Sequence, residues 1–231
     1  MNDQNPEDFP SPELAGPDGL VAIGGDLSPE RLIKAYRNGI FPWFSPGDPI
    51  LWWTPDPRCV LFPEKLRVSR SLRKTIRRND FEFRLDHGFS AVIHQCAAAR
   101  INAEGTWITP EMEQAYCRLQ SLGFAHSVET WQDGELVGGL YGVALGGIFF
   151  GESMFSRVSD ASKAALAFLV SQLKHWEFML IDCQVTSDHL LSLGAEEISR
   201  IDFMKKLMFA LELPGAPGCW NKKEVIVDLP R

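Results

Sequence analysis

The spacing of apolar and polar positions divides the chain into an irregular first quarter and a regular remainder. Residues 6–30, PEDFPSPELAGPDGLVAIGGDLSPE, are interrupted by Pro and Gly too often for any period and read as extended chain and turns. SPERLIKAYRNG then predicts a short helix, with Ser28 as N-cap, Pro29 in the first helical position and Asn38-Gly39 as its stop. In residues 40–63 aromatic residues interleave with prolines, and ILWW and CVLF predict two short strands around the turn TPDPR. Beyond residue 64 the periods become clean. Ser69 caps a helix to about Arg78, FEFRL alternates as a strand, GFSAVIHQCAAA predicts a helix, and TPEMEQAYCRLQSLG predicts another between Thr109 as cap and Gly123 as stop. AHSVETWQ, ELVGGLYGVAL and IFFGESMF are separated by DG and GG, which predicts a three-stranded meander. SDASKAALAFLVSQLKHW reads as an amphipathic helix, FMLIDCQV as a strand, DHLLSLG as a short helix and SRIDFMKKLMFALEL as a final helix. This order is α+β.

Composition adds limits to that picture. The chain has 231 residues, 45% hydrophobic and 23% charged, enough for a large core in one domain or two unequal ones. Only the polar, Pro-containing first dozen residues are candidates for disorder. Five widely spaced cysteines without a C-x-x-C pair point to reduced thiols in a cytoplasmic protein, and no histidine spacing suggests a metal site. The N-terminus lacks the basic start and apolar core of a secretory signal. The longest uncharged run, 136–151, is too short for a membrane span and carries six glycines, so it reads as a hairpin. A net charge of −7 speaks against nucleic acid, but residues 65–79, KLRVSRSLRKTIRRN, hold seven basic residues and no acid. Arg70, Arg73, Lys74, Arg77 and Arg78 fall on one helical stripe. A solvated face is the usual fate of such a run, and with no acid to pair them, phosphate binding is the better reading.

Candidate chemistry centres on two strands. GGIFFGESMFSR sets Glu152 inside a run that otherwise reads as buried strand, and an ionised carboxylate there must be paired or used. Strand alternation puts Phe150, Glu152 and Met154 on one face, and Phe178, Leu180, Asp182 and Gln184 on one face of the later strand. Taken singly, Glu152 would pair with Arg157 or Lys163, and Asp182 would cap the turn at TSDH. Two acids and a carboxamide together favour a site. Cys183 with His189 makes a weak thiol–base pair, since alternation sends Cys183 away from Asp182. Trp43 and Trp107 sit in Pro- or Gly-flanked segments and are expected to be exposed as stacking platforms for bases, whereas Trp52 and Trp53 are at least as well explained as a wedge between domains.

The stretches DGLVAIGGDLSPERLIKAYRNGIFPWFSPGDPILWWTPDPRCVL, EGTWITPEM, HSVETW, LVGGLYGVALGGIFFGESMFSR, ASKAAL and LIDCQ resemble the leucyl/phenylalanyl-tRNA protein transferases, over nearly the whole chain. The resemblance implies a small N-terminal domain, 1–62, followed by a C-terminal domain, 63–231, of acetyltransferase-like (GNAT) fold with a mixed sheet. It implies transfer of Leu or Phe, less readily Met, from aminoacyl-tRNA to proteins beginning with Arg or Lys, marking them for degradation, by a cytoplasmic monomer without cofactor or metal. Carried over by position, Tyr36, Trp43 and Trp107 would contact the terminal adenosine of tRNA, and the basic stripe its backbone. Leu140, Gly151, Met154, Leu166 and Ile181 would line the amino-acid pocket, and Glu152, Asp182 and Gln184 its polar centre. Ile181 conflicts with alternation, which turns it away from Asp182. Two other readings are an acyl-CoA-dependent N-acyltransferase of the same fold and a non-catalytic RNA-binding adaptor. The first needs a Gly-rich turn before the helix at Ala161, where FSRVSDASK has none. The second leaves Glu152, Asp182 and Gln184 unexplained.

Overall fold

The computed structural model describes residues 8–78, 81–101 and 106–222. Residues 1–7 of the stretch read as a candidate for disorder lie outside them. The predicted helices form with their caps: α1 (Pro29–Arg37) has Arg31 N donating to Ser28 Oγ, and in α2 (Arg70–Arg78) Leu72 N donates to Ser69 Oγ at 3.1 Å. After α3 (Phe89–Ile101), α4 (Pro110–Ser121) starts on Thr109, whose Oγ1 accepts from Met112 N. The remaining helices are α5 (Ala161–His175), α6 (Asp188–Ser192) and α7 (Arg200–Leu211).

Two sheets carry these helices. A small one takes β1 (Leu20–Ile23), β2 (Phe41–Pro42) and β3 (Leu51–Trp53) in the order β1-β3-β2. The large one adds β4 (Arg58–Leu61), β5 (Glu82–Leu85), β6 (Ala125–Gln132), β7 (Glu135–Leu145), β8 (Ile148–Ser156), β9 (Leu180–Gln184) and β10 (Glu196–Ile198), ordered β10-β4-β9-β8-β7-β6-β5. Its pairs are antiparallel except β8 with β9, which are parallel and joined by the α5 crossover, so the sheet is mixed. ILWW and CVLF therefore belong to different sheets: β3 stays with the small one, and β4 crosses to pair with β9. Three strands escape the sequence reading, among them β2, two residues defined by their pairing with β3. β1 lies in the Pro/Gly-rich stretch read as extended chain, and β10 is only three residues long and is defined by its pairing with β4.

The large sheet is covered on both faces. On one, α1, α3, α4 and α7 close a core that holds Tyr36, Trp52, Tyr116, Phe150 and Phe203, so the small sheet and the large one share it. On the other, α5 and Trp220 pack over Phe149, Leu140 and Ile181. The parallel β8–β9 register runs only from Ile148↔Leu180 to Phe150↔Asp182; beyond it the strands part. Close packing under this opening demands glycine at residue 142, where an added Cβ would lie 2.1 Å from the Phe150 carbonyl oxygen and 2.6 Å from the Phe149 ring. Gly142→Ala is expected to cost about 1–3 kcal/mol, typical of overpacking, measured as a lower urea midpoint. An unchanged midpoint would mean that β7 and β8 shift apart freely.

Candidate active site

Where β8 leaves β9, the regular ladder to β7 also breaks. Tyr141 pairs with Ser153 but Gly142 pairs with Gly151, so Glu152 is the extra residue of a β-bulge. The bulge re-aims the strand: Phe150 packs in the core with Tyr36, whereas Met154 packs on the opposite side with Leu140, Leu166 and Ile181. The expectation that Phe150, Glu152 and Met154 share one face fails for this reason. On β9, Gln184 sits at φ +64°, in the left-handed region, which turns its carboxamide out of strict alternation. The conflict over Ile181 disappears as well, because it is Ile181 that joins Met154 while Asp182 faces away.

Glu152 is almost fully buried and hydrogen-bonded throughout. Tyr36 Oη and Gln184 Nε2 each donate to its Oε1 at 2.7 Å, and Tyr116 Oη contacts its Oε2 at 3.0 Å. The two tyrosine hydroxyls also touch each other. That triangle has three O···O contacts and only two hydroxyl hydrogens, so a protonated carboxyl completes it. Burial pushes the Glu152 carboxyl up to about 7, against the opposing pull of the bonds from Tyr36, Tyr116 and Gln184. Burial first, then the charge of Glu152, raises both tyrosine hydroxyls well above their ordinary range, so they remain donors. The chain's third tyrosine, Tyr141, packs edge-on against Tyr116. Neither ion pair expected for Glu152 forms: Arg157 bonds to Gln95 at 2.8 Å and Lys163 to Asp160 at 2.8 Å.

Asp182 is fully buried behind this centre and pairs with Arg58, also buried, through Nε–Oδ1 at 2.8 Å and Nη2–Oδ2 at 2.7 Å. Its Oδ1 accepts in addition from Gln184 N at 2.9 Å. Asp182 thus does not share a cavity face with Gln184, nor does it cap TSDH; Ser187 Oγ does that, accepting from Leu190 N.

A cavity of about 340 Å³ opens at the parted strands. Leu140, Phe149, Met154, Leu166, Leu169 and Ile181 form its apolar wall, Gly151, Glu152 and Gln184 its polar centre, and Trp43 and Trp107 also line it. Trp43 is 45% exposed and Trp107 half-buried, so the expected exposure holds more fully for the first. Trp52 is fully buried, its Nε1 donating to Gly24 O, as a wedge would be. Tyr36, grouped in sequence with the adenosine contacts, is fully buried and reaches the site through its hydroxyl on Glu152. Cys183 and His189 border the cavity, but the Cys59 thiol and burial push the Cys183 thiol well above its ordinary range, which suits no nucleophile. Arg70, Arg73, Lys74, Arg77 and Arg78 lie elsewhere, around a groove on α2, which joins the N-terminus of α5 through Thr75 Oγ1 to Asp160 Oδ2. Among the described residues no three His, Cys, Asp or Glu side chains gather to hold a metal ion, and no helix is long and apolar enough to cross a membrane.

Sequence reasoning missed Tyr116 and Arg58. A tyrosine on the apolar stripe of α4 needs a buried acceptor, and an arginine opening the strand RCVL needs a buried anion; both signals were there to read.

An apolar pocket thus stands beside hydrogen-bonding groups at the gap between parted parallel strands of a mixed sheet. A family model for leucyl/phenylalanyl-tRNA protein transferase matches residues 60–208, and a model for the N-terminal domain of that family matches residues 25–56. Leucyl/phenylalanyl-tRNA protein transferases of Methylococcus capsulatus and Nitrosospira multiformis are 60% and 62% identical to the chain over 215 residues, covering 92% of this chain and 92% of each relative. That of Cellvibrio japonicus is 60% identical over 209 residues, 90% of this chain and 89% of its own. The chain belongs to the leucyl/phenylalanyl-tRNA protein transferase family. Solved structures similar to it are remote: L-PGS from Bacillus licheniformis at 12% identity and TM-score 0.41, covering 70% of this chain and 52% of that one, and a GCN5-related N-acetyltransferase from Kribbella flavida at 12% and 0.37, covering 74% and 61%.

A carboxyl whose folded-state pKa exceeds its unfolded value holds more protons folded than unfolded between the two, so stability falls as pH rises through that interval. For Glu152 the interval runs from 4.5 to about 7, and for Glu129, likewise raised first by burial, to about 7 as well. The melting midpoint should therefore fall from about pH 5 to about pH 7, and Glu152→Gln should remove part of that slope. A slope unchanged in Glu152→Gln would return the Glu152 carboxyl to its ordinary range.

Proposed function

We propose that the cavity binds the aminoacyl end of a charged tRNA and passes its leucine or phenylalanine, less readily methionine, to the α-amine of a protein beginning with Arg or Lys. The observation that carries this reading is the apolar wall set against Glu152 and Gln184, with Trp43 and Trp107 on the same cavity, in a chain of this family. Leu140, Gly151, Met154, Leu166 and Ile181 take the side chain. Met154 adapts to Leu, Phe and Met, and the shape of the wall disfavours β-branched Ile and Val. Trp43 and Trp107 receive the terminal adenosine, and the stripe on α2 contacts the tRNA backbone.

The ester on the ribose is already activated, so the reaction needs alignment, a destination for a proton and donors for the developing oxyanion. The amine nitrogen forms a bond to the ester carbonyl carbon, the carbonyl–ribose oxygen bond breaks, the ribose oxygen leaves with a proton and the amine gives one up. Glu152, with room for a proton in its triangle with Tyr36 and Tyr116, receives that proton, returns it to the departing ribose oxygen and attracts the cationic acceptor. Gln184 contacts the amine. Asp182 acts on Gln184 through the backbone N–H and not on substrate directly. Every side chain of the proposed site comes from one chain, so a monomer suffices, and a pool of charged tRNA places the reaction in the cytoplasm. The acyl-CoA reading loses support at the start of α5, where Ser162 N is taken by Ser156 Oγ, Ala161 N by Val158 O, and Asp160 sets a negative charge at the N-cap position.

Labelled Leu supplied on tRNA should appear on an Arg-initiated peptide and not on its Ala-initiated twin, with acetyl-CoA no competitor; equal labelling of both peptides, or none, would sink the acceptor reading. Arg77→Ala plus Arg78→Ala should weaken tRNA binding and shrink the slope of log affinity against log salt by about one unit per arginine. An unchanged slope would move the tRNA backbone off α2.

A further inference from the structure

We propose that Arg58 is a positioning residue for the transfer reaction: by gripping Asp182 it fixes the backbone of Gln184 in the conformation that places its carboxamide on Glu152. The proposal rests on the transferase reading above for its kinetic consequence, though not for the geometry. Arg58 opens β4, does not itself line the cavity, and is 1% exposed. Its guanidinium lies over the ring of Phe41, 4.8 Å from the centroid, and over that of Phe203, 4.5 Å away. Two of its donors close a planar fork on both oxygens of Asp182, and Nη1 has no protein partner among the described residues.

A buried ion pair adds little net stability over an apolar pair of similar volume, so packing alone does not call for one at this place. What it accomplishes is visible one residue on. With both carboxylate oxygens held by the fork, the remaining acceptor direction of Oδ1 points at Gln184 N, 2.9 Å away. That bond holds a residue with a Cβ at φ +64°, a conformation it leaves readily when nothing restrains it. From there Gln184 Nε2 reaches Glu152 Oε1 at 2.7 Å. An extended Gln184 would continue β9 and point its side chain elsewhere. Lysine could supply the charge but not the two parallel bonds or the flat faces for Phe41 and Phe203.

The test uses the full chain and two readouts. In Arg58→Lys, kcat for Leu transfer to an Arg-initiated peptide should fall about 100-fold, the loss typical of a small misplacement, with KM for charged tRNA within about threefold of wild type. In a Gln184→Ala background the same change should cost almost nothing more, because its effect passes through Gln184. Phe203→Leu, which leaves the ion pair intact and removes one ring, should shift kcat in the same direction by less. The second readout needs no activity: the Gln184 side-chain amide, assigned in ¹⁵N-Gln spectra by its loss in Gln184→Ala, should move to the position of a solvated glutamine in Arg58→Lys and part of the way there in Phe203→Leu. An amide signal and kcat unchanged in both variants, or losses that multiply fully in the Gln184→Ala background, would overturn the proposal. A wild-type protein that transfers no Leu would overturn the transferase reading, while the amide signal would still decide the role of Arg58.

Discussion

The cost of keeping a carboxyl out of water governs how this molecule is built around residue 152. A buried ionised carboxylate without partners is several kcal/mol unfavourable, and neither a nearby cation nor exposure relieves it in this case. Relief comes from hydrogen bonds delivered by three separate elements: Tyr36 on α1, Tyr116 on α4 and Gln184 at the end of β9. The bulge in β8 presents the carboxyl to all three. Because the tyrosine hydroxyls touch each other as well as the acid, the cluster is satisfied with one more proton than it carries when Glu152 is ionised. A group poised near neutrality suits a reaction that must relieve an amine of a proton.

The same dependence explains why the small sheet cannot be regarded as an appendage. Residues 36–43 contribute a hydroxyl to Glu152 through Tyr36, a ring against Arg58 through Phe41 and a cavity-lining indole through Trp43. From the other end of the chain, α7 contributes the ring of Phe203 against the same guanidinium. Four buried charges or protonatable groups, Arg58, Asp182, Glu152 and Tyr116, therefore link the first third of the chain to the middle and the end across a shared core. A change of protonation at Glu152 is felt within one hydrogen bond by three of these segments.

Most of the architecture was legible in the sequence because local signals sufficed. The caps at Ser28, Ser69 and Thr109, the DG and GG turns and the helix between β8 and β9 all act within a few residues, and all appear in the structure. β1 and β10 were not legible, since such short strands exist by virtue of their partners. The polar centre was half legible. Glu152, Asp182 and Gln184 stood out as polarity in apolar strands, but alternation assumed a period of two that the bulge at Glu152 and the left-handed Gln184 both break. Arg58 and Tyr116 each make sense only through a partner more than thirty residues away, and a local pattern signals the need for such a partner but not which residue supplies it. The family resemblance supplied the pocket residues without their geometry; the parting of β8 and β9 is what brings them to one wall.

In the proposed mechanism Glu152 is buried for chemistry, and the fold tolerates it. Glu152→Gln keeps the size and one acceptor oxygen, sets an amide donor where a protonated carboxyl would carry its hydrogen, and cannot take up a proton. The decisive measurement is its single-turnover rate of Leu transfer from tRNA to an Arg-initiated peptide at about pH 8, where the wild-type carboxyl is ionised. The expected result is a fall of about 100-fold or more in a variant as stable as wild type. Transfer at the wild-type rate would contradict it and leave Glu152 as a structural acid.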